Sequence, residues 1–236
     1  MLFLAHILAA YVVLAAPWLS WVGYQRARKR IAARVPDAKV RLYRALVGEQ
    51  FITTGVVLVL WYSGRFSATS LGLVVPRSWG WNAVALVVVV AALAWSSLRL
   101  RPKAEKIRRS VQDGIGALIP DSRPERFWWG AVSAGAGISE ELICRGFLLY
   151  YCTLYLPHLN TSERVLLTSL VFGFGHLYQG WRGAVAAGIL GLVLAGMYLI
   201  TGSLLLPVVI HAATDARVLL IFPPGASPKT LVQGNA

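Results

Sequence analysis

Residues 80–98 read GWNAVALVVVVAALAWSSL, a run without one charged side chain. A helix rises about 1.5 Å per residue, so this run is long enough to cross the roughly 30 Å apolar core of a bilayer. Trp81 and Trp95 stand towards its two ends, where aromatic side chains settle at the lipid–water boundary. Comparable apolar runs recur at 2–22, 43–62, 128–156, 164–180, 183–201 and 204–222. The chain has 236 residues, 57% of them hydrophobic and 14% charged, against about 25% charged in a soluble domain. A soluble core could not hide so many such runs. The pattern predicts an all-α membrane protein, a polytopic bundle of about seven to eight transmembrane helices, with no polar stretch long enough to fold as a separate soluble domain.

The net charge of +13 would suit nucleic acid if it formed a patch on a soluble fold. Here it is split into two blocks between apolar runs. Arg26, Arg28, Lys29, Arg30, Arg34, Lys39, Arg41 and Arg44 form one. Arg99, Arg101, Lys103, Lys106, Arg108 and Arg109 form the other, with Arg123 and Arg126 beyond. Lysine and arginine between spans mark the cytoplasmic side, so loops 25–41 and 99–126 are expected inside, the N-terminus outside and the C-terminus inside. The reading is a multi-pass protein of the bacterial inner membrane whose basic loops touch anionic lipid, with no nucleic-acid partner. Residues 1–20 lack a basic leading segment, so they read as a first span and not as a signal peptide. In 99–126, Ile107, Val111, Ile115 and Leu118 recur at three- and four-residue spacing, which predicts an amphipathic helix lying flat at the interface. Cys144 and Cys152, eight residues apart on one helix, are about 12 Å apart along its axis. That is too far for a disulfide, and both are expected free.

An ionisable side chain inside a span is costly and usually faces the bundle interior. Of the ten acids, Glu49, Glu140, Glu141 and Asp215 fall in spans, as do His176 and His211, with His6 near one end. Glu141 and Arg145 are one turn apart and can pair on one helix face. Glu140 points about 100° away from Glu141 and has no cation within a turn, which leaves its carboxylate available as a general base. His211 and Asp215 are also one turn apart, so the carboxylate is expected to fix the imidazole's tautomer and orientation. The run from Gly130 to Gly137 is nearly all small residues. It reads either as close helix packing or as room for a substrate strand or water.

The three pieces Glu140-Glu141-Leu-Ile-Cys-Arg145, Phe172-Gly-Phe-Gly-His176 and His211-Ala-Ala-Thr-Asp215 resemble the signature of the CPBP family, the CAAX protease and bacteriocin-processing membrane proteases, including its type II CAAX prenyl protease branch. The resemblance covers about 127–222, the candidate catalytic core. It would follow N-terminal helices over 1–98 and the interfacial segment 99–126, and precede a polar tail over 223–236. The resemblance implies hydrolysis of a peptide bond in a membrane-associated protein or peptide. Glu140 would activate water with help from His176. His211 and Asp215 would stabilise the oxyanion, while Glu141 and Arg145 would hold the site's geometry. The type II branch usually has asparagine where Asp215 stands, and an ionised carboxylate accepts hydrogen bonds but donates none.

Two histidines and a glutamate could also hold zinc, with Glu140, His176 and His211 as ligands. No His-Glu-x-x-His helix is present, and water activated by Glu140 accounts for the same residues, so no cofactor is the favoured reading. The alternative function is a non-catalytic partner-binding protein of the bacteriocin immunity type, for which the acid and histidine set is unnecessary. A proton-relay transporter is disfavoured by the lack of an inverted repeat or a matching pair of broken helices.

Overall fold

A computed structural model of the protein describes residues 2–64, 66–76, 78–111 and 114–224. Among them run seven helices and no strand: α1 (Leu2–Ala32), α2 (Ala38–Tyr62), α3 (Trp79–Ser110), α4 (123–155), α5 (Thr161–Gly175), α6 (Trp181–Thr201) and α7 (Leu205–Ile221). One helix answers each of the seven apolar runs, and the chain is a helical membrane protein. By length and composition α1, α2, α3 and α6 qualify as membrane-crossing helices. The other three differ for a physical reason. α5 has 15 residues and α7 has 17, and the long α4 carries Glu140, Glu141 and Arg145. The helices that bear the polar motifs are the short or polar ones.

Both basic blocks extend helices, where loops were expected. α1 continues through Arg26, Arg28, Lys29 and Arg30, and α3 continues through Arg99 to Arg109. Arginine and lysine are good helix formers, and their long stems let the helix run on while the charge reaches water. Nor does 99–126 form one amphipathic helix lying flat. α3 ends at Ser110, and a single 3₁₀ turn, Ile115–Leu118, follows. Ile107 and Val111 pack on a buried cluster of Ala104, Ile119, Ile221 and Phe222, so this apolar stripe covers the end of α7. The segment is tied down by Tyr43 Oη, which donates to the Leu118 carbonyl at 2.6 Å, and by Lys39 Nζ, which donates to the Ile119 carbonyl at 2.7 Å. Lys39 also pairs with Asp121 at 2.7 Å, and Arg108 with Asp121 at 2.9 Å. Of the polar tail, 225–236 lie outside the described residues.

α4 is central, packed against α2 and α7, while α5 packs on α6 and α7 on α3. It begins with a capping box, Ser122 and Glu125 satisfying each other's backbone N–H groups. The main core joins Leu8 of α1, Val57 and Leu60 of α2, Leu142 and Phe147 of α4 and Phe172 of α5. Large apolar side chains such as Phe51, Ile52 and Ile200 point outward, 75%, 70% and 80% exposed, as helices immersed in lipid require. Gly137 sets the approach of α4 to α7. A Cβ there would lie 2.6 Å from the Val208 carbonyl oxygen and 2.9 Å from Ala212 Cβ. Its absence brings the turn bearing Glu140 and Glu141 against the turn bearing His211. Cys144 and Cys152 are both free and buried.

Candidate active site

Directly after Glu141 the winding of α4 changes from α to π over Leu142–Leu148, all seven residues buried. Such turns cluster at functional sites because they re-aim side chains on either side. Glu141 is fully buried and Arg145 is 2% exposed. Arg145 Nη1 donates to Glu141 Oε1 at 2.8 Å, and Nη2 donates to the Gly191 carbonyl of α6 at 2.9 Å. The guanidinium lies over the Phe172 ring, 4.6 Å from its centroid. The same Glu141 oxygen accepts the Nδ1–H of His211 at 2.7 Å. One carboxylate thus ties α4 to α7, and its partner arginine ties α4 to α6.

Asp215 does not orient His211, contrary to the sequence expectation. Its Oδ2 lies 3.6 Å from Nε2, the opposite ring nitrogen, while Glu141 occupies Nδ1. The expectation considered only groups one turn away on α7, and the tighter partner arrives from another helix. Asp215 is fixed through its backbone, whose carbonyl accepts from Trp129 Nε1 at 3.1 Å.

α5 stops one residue before His176. His176 Nδ1 donates to the Phe172 carbonyl at 2.8 Å, since a carbonyl oxygen can only accept. The phenylalanine of this motif therefore touches the site through its backbone as well as through the ring that lies under Arg145. Its carbonyl fixes the His176 ring, and its own ring meets His211 edge-on at 5.7 Å. With both Nδ1 atoms committed, the two Nε2 atoms face Glu140 Oε2, at 3.8 Å from His176 and 3.9 Å from His211. These gaps are too long for direct hydrogen bonds and short enough for one water to bridge. Glu140 Oε2 is itself buried without a hydrogen-bond partner. Glu140 Oε2 thus faces both Nε2 atoms, and Asp215 Oδ2 lies 3.6 Å from that of His211.

A cavity of about 510 Å³ opens on this cluster, lined by Glu140, His176, Tyr178 and Asp215. Its walls come from α1, with Val12 and Leu19, and from α2, with Leu46 and Gln50. Gln50, Ser139 and Tyr178 were not among the residues singled out in the sequence. The available signal was a glutamine in the middle of an apolar span, where amides normally face the bundle interior. Glu49 accepts from Tyr11 Oη at 2.7 Å on the same wall and is not part of the histidine cluster. His6 lies apart, its Nδ1 2.6 Å from Tyr151 Oη. Zinc takes nitrogen and oxygen ligands of the kinds gathered here at about 2.0–2.2 Å. Among the described residues no group of three His, Cys, Asp or Glu side chains stands ready arranged for a metal ion.

Fold and site together define a helical membrane protein with a carboxylate–histidine centre set inside its bundle. Residues 123–217, under half of the chain, match the family model described as Type II CAAX prenyl endopeptidase Rce1-like. All three motifs fall inside that segment, and the match agrees with the resemblance their residues carry. This part of the chain is similar to the CAAX-type membrane proteases in general. No curated protein and no solved structure matches the chain.

Proposed function

We propose that the chain is an intramembrane endopeptidase, multi-pass in a bacterial inner membrane, that hydrolyses a peptide bond with water activated by Glu140. The observation that carries this reading is the unpartnered Glu140 Oε2, facing both histidine Nε2 atoms at 3.8 and 3.9 Å beside a cavity of about 510 Å³. A water held between Glu140 and His176 gives a proton to the carboxylate as its oxygen bonds to the scissile carbonyl carbon. The carbonyl oxygen, now negative, faces His211, which donates from Nε2 when that nitrogen carries a proton. Breaking of the C–N bond returns the proton from Glu140 to the leaving amine. Glu141 and Arg145 touch no substrate in this scheme and hold the His211 ring at its angle. Asp215, beside Nε2, borders the oxyanion position as an acceptor.

The substrate class we propose is a membrane-associated peptide with an apolar anchor. The cavity has apolar side chains such as Val12, Leu19 and Leu46 on its α1 and α2 wall, with Glu49 and Gln50 set among them, and the carboxylate–histidine cluster opposite, which suits an amphiphile. A prenylated tail, as in the description of the matched family, is the first candidate. The basic ends of α1 and α3 are proposed to meet anionic headgroups, although Lys39 and Arg108 are already neutralised by Asp121 and Glu125. The test is Glu140→Gln, which keeps the shape and removes the base. Cleavage of a prenylated peptide should fall at least about a hundredfold, the usual worth of a general base. Equal cleavage by the variant at matched membrane levels would refute the mechanism.

A further inference from the structure

Resting on that reading, we propose that Glu49 is a specificity residue of the site, its carboxylate pairing with a lysine or arginine side chain that the substrate carries near the cleaved bond. Glu49 stands midway along α2, where an ionised group is costly and calls for a partner. Tyr11 Oη of α1 donates to its Oε1 at 2.7 Å. The carboxylate has no ion pair among the described residues, and Oε2 accepts no hydrogen bond there. The cations of its own helix are turned elsewhere. Lys39 pairs with Asp121 at 2.7 Å, Arg41 donates to the Pro36 carbonyl, and Arg44 lies over the Trp128 ring, 5.6 Å from its centroid. A residue that merely tied α1 to α2 would need no charge, since a neutral amide accepts the Tyr11 hydrogen at lower cost in an apolar span. Glu49 is exposed, and both it and Tyr11 line the cavity that holds Glu140. A π turn of α1, Tyr11–Ala15, begins at that tyrosine, and such turns re-aim side chains at functional sites.

The charge of the cavity gives the kind of group that enters. The chain has 23 lysines and arginines against 10 acids. Yet the described residues lining the cavity include the carboxylates of Glu49, Glu140 and Asp215 and neither a lysine nor an arginine. A strongly basic chain thus keeps its cations out of this cavity and sets acids in it. Low-dielectric walls focus such a field and draw positive charge inward. Glu140 and Asp215 face the histidines, which leaves Glu49, on the α1 and α2 wall, as the carboxylate without a cation. A basic side chain matches that wall. Its apolar stem lies along Val12, Leu19 and Leu46 while its charged head reaches the carboxylate. At about 510 Å³ the cavity is of the size that takes a small ligand. It therefore admits a short stretch of peptide, which places the basic residue near the bond under attack.

The experiment uses the purified full-length protein in liposomes of phosphatidylcholine alone, so that anionic lipid does not gather basic peptides. Quenched-fluorescence peptides ending in a farnesylated CAAX tail carry lysine, norleucine or glutamate at one position at a time around the cleaved bond. In the wild type, lysine at one position should give a KM about tenfold below that of norleucine, the low end for a hydrogen bond to a charged group, with kcat within about twofold. Glutamate there should give the highest KM. In Glu49→Gln, which still accepts from Tyr11, the lysine and norleucine peptides should agree in KM within about twofold. In Glu49→Lys the order should invert, with glutamate binding best. No position at which lysine lowers KM in the wild type, or a lysine advantage that survives in Glu49→Gln, overturns the proposal. If the Glu49 variants do not fold, a carbodiimide decides, since it joins an amine to a carboxylate held against it. With the uncleaved lysine peptide bound to Glu140→Gln, mass spectrometry should find the join at Glu49, and a join at Asp215 alone, or none, overturns the assignment. Glu140→Gln also separates the two readings. If it cleaves like the wild type, or the wild type does not cleave, the reading of proteolysis on such a tail falls and takes this proposal with it. If Glu140→Gln is inactive while the lysine preference is absent, only the Glu49 assignment falls.

Discussion

Replacing Glu141 by glutamine should unfold the protein far more readily than replacing its neighbour Glu140. Glu141 Oε1 accepts from Arg145 at 2.8 Å and from His211 at 2.7 Å, in a position without solvent access. An amide oxygen can replace at most the hydrogen-bonding part of this role and none of the charge. Removing one partner of a buried ion pair costs about 3–5 kcal/mol, because the other charge stays buried without compensation. The Gly191 carbonyl and the Phe172 ring still hold the guanidinium, so the lower end, about 3 kcal/mol, is expected. At about 2–4 °C per kcal/mol for a chain of this size, the midpoint should fall roughly 6–12 °C. Glu140 makes no hydrogen bond through its buried oxygen and sits 3.8 Å or more from the histidines. Glu140→Gln should therefore shift the midpoint by less than about 3 °C, within the range of a surface change. The assay is thermal unfolding of both variants in one detergent, with peptide cleavage measured below the lower midpoint. A second arm combines Glu141→Gln with Arg145→Gln, which should cost less than the two singles added, since the orphaned charge is gone. A Glu141→Gln midpoint within 2 °C of wild type, or strict additivity in the double variant, would refute the buried-pair reasoning.

Three further outcomes are expected. Because Glu141 holds the His211 ring, Asp215→Asn should keep cleavage within about tenfold of wild type, the worth of one altered hydrogen bond. A loss as deep as that of Glu140→Gln would mean that the Asp215 charge itself is essential. Exhaustive chelation should leave a purified preparation fully active with no stoichiometric zinc by elemental analysis, whereas loss on chelation with recovery on adding zinc would replace direct water activation by a metal route. Reporter fusions at Arg34 and Arg109 should both read cytoplasmic, since lysine and arginine dominate the asymmetry at those ends, and an outside signal at either would overturn the orientation.

The sequence alone determined the class of fold. Apolar runs of spanning length leave an α-helical membrane bundle as the arrangement that satisfies the backbone in lipid, and each run became one helix. It also determined which side chains to watch, since Glu140, Glu141, Arg145, His176, His211 and Asp215 are anomalous where they stand, and Glu141 with Arg145 form a pair that spacing alone predicts. Tertiary structure decided the rest, because a one-dimensional reading sees partners only within a turn. His211 is held by Glu141 across the α4–α7 contact, not by Asp215 beside it. The basic blocks became helix ends because nothing local stops a helix at arginine and lysine, and the stripe of Ile107 and Val111 covers the end of α7 where periodicity alone could not tell protein from lipid. Gln50 carries no charge and drew no notice in the sequence. Only the approach of α2 to α4 at Gly135 turns a polar residue in an apolar span into part of the wall that Glu140 shares, because which faces meet is fixed by packing between helices and not by the order of residues within one.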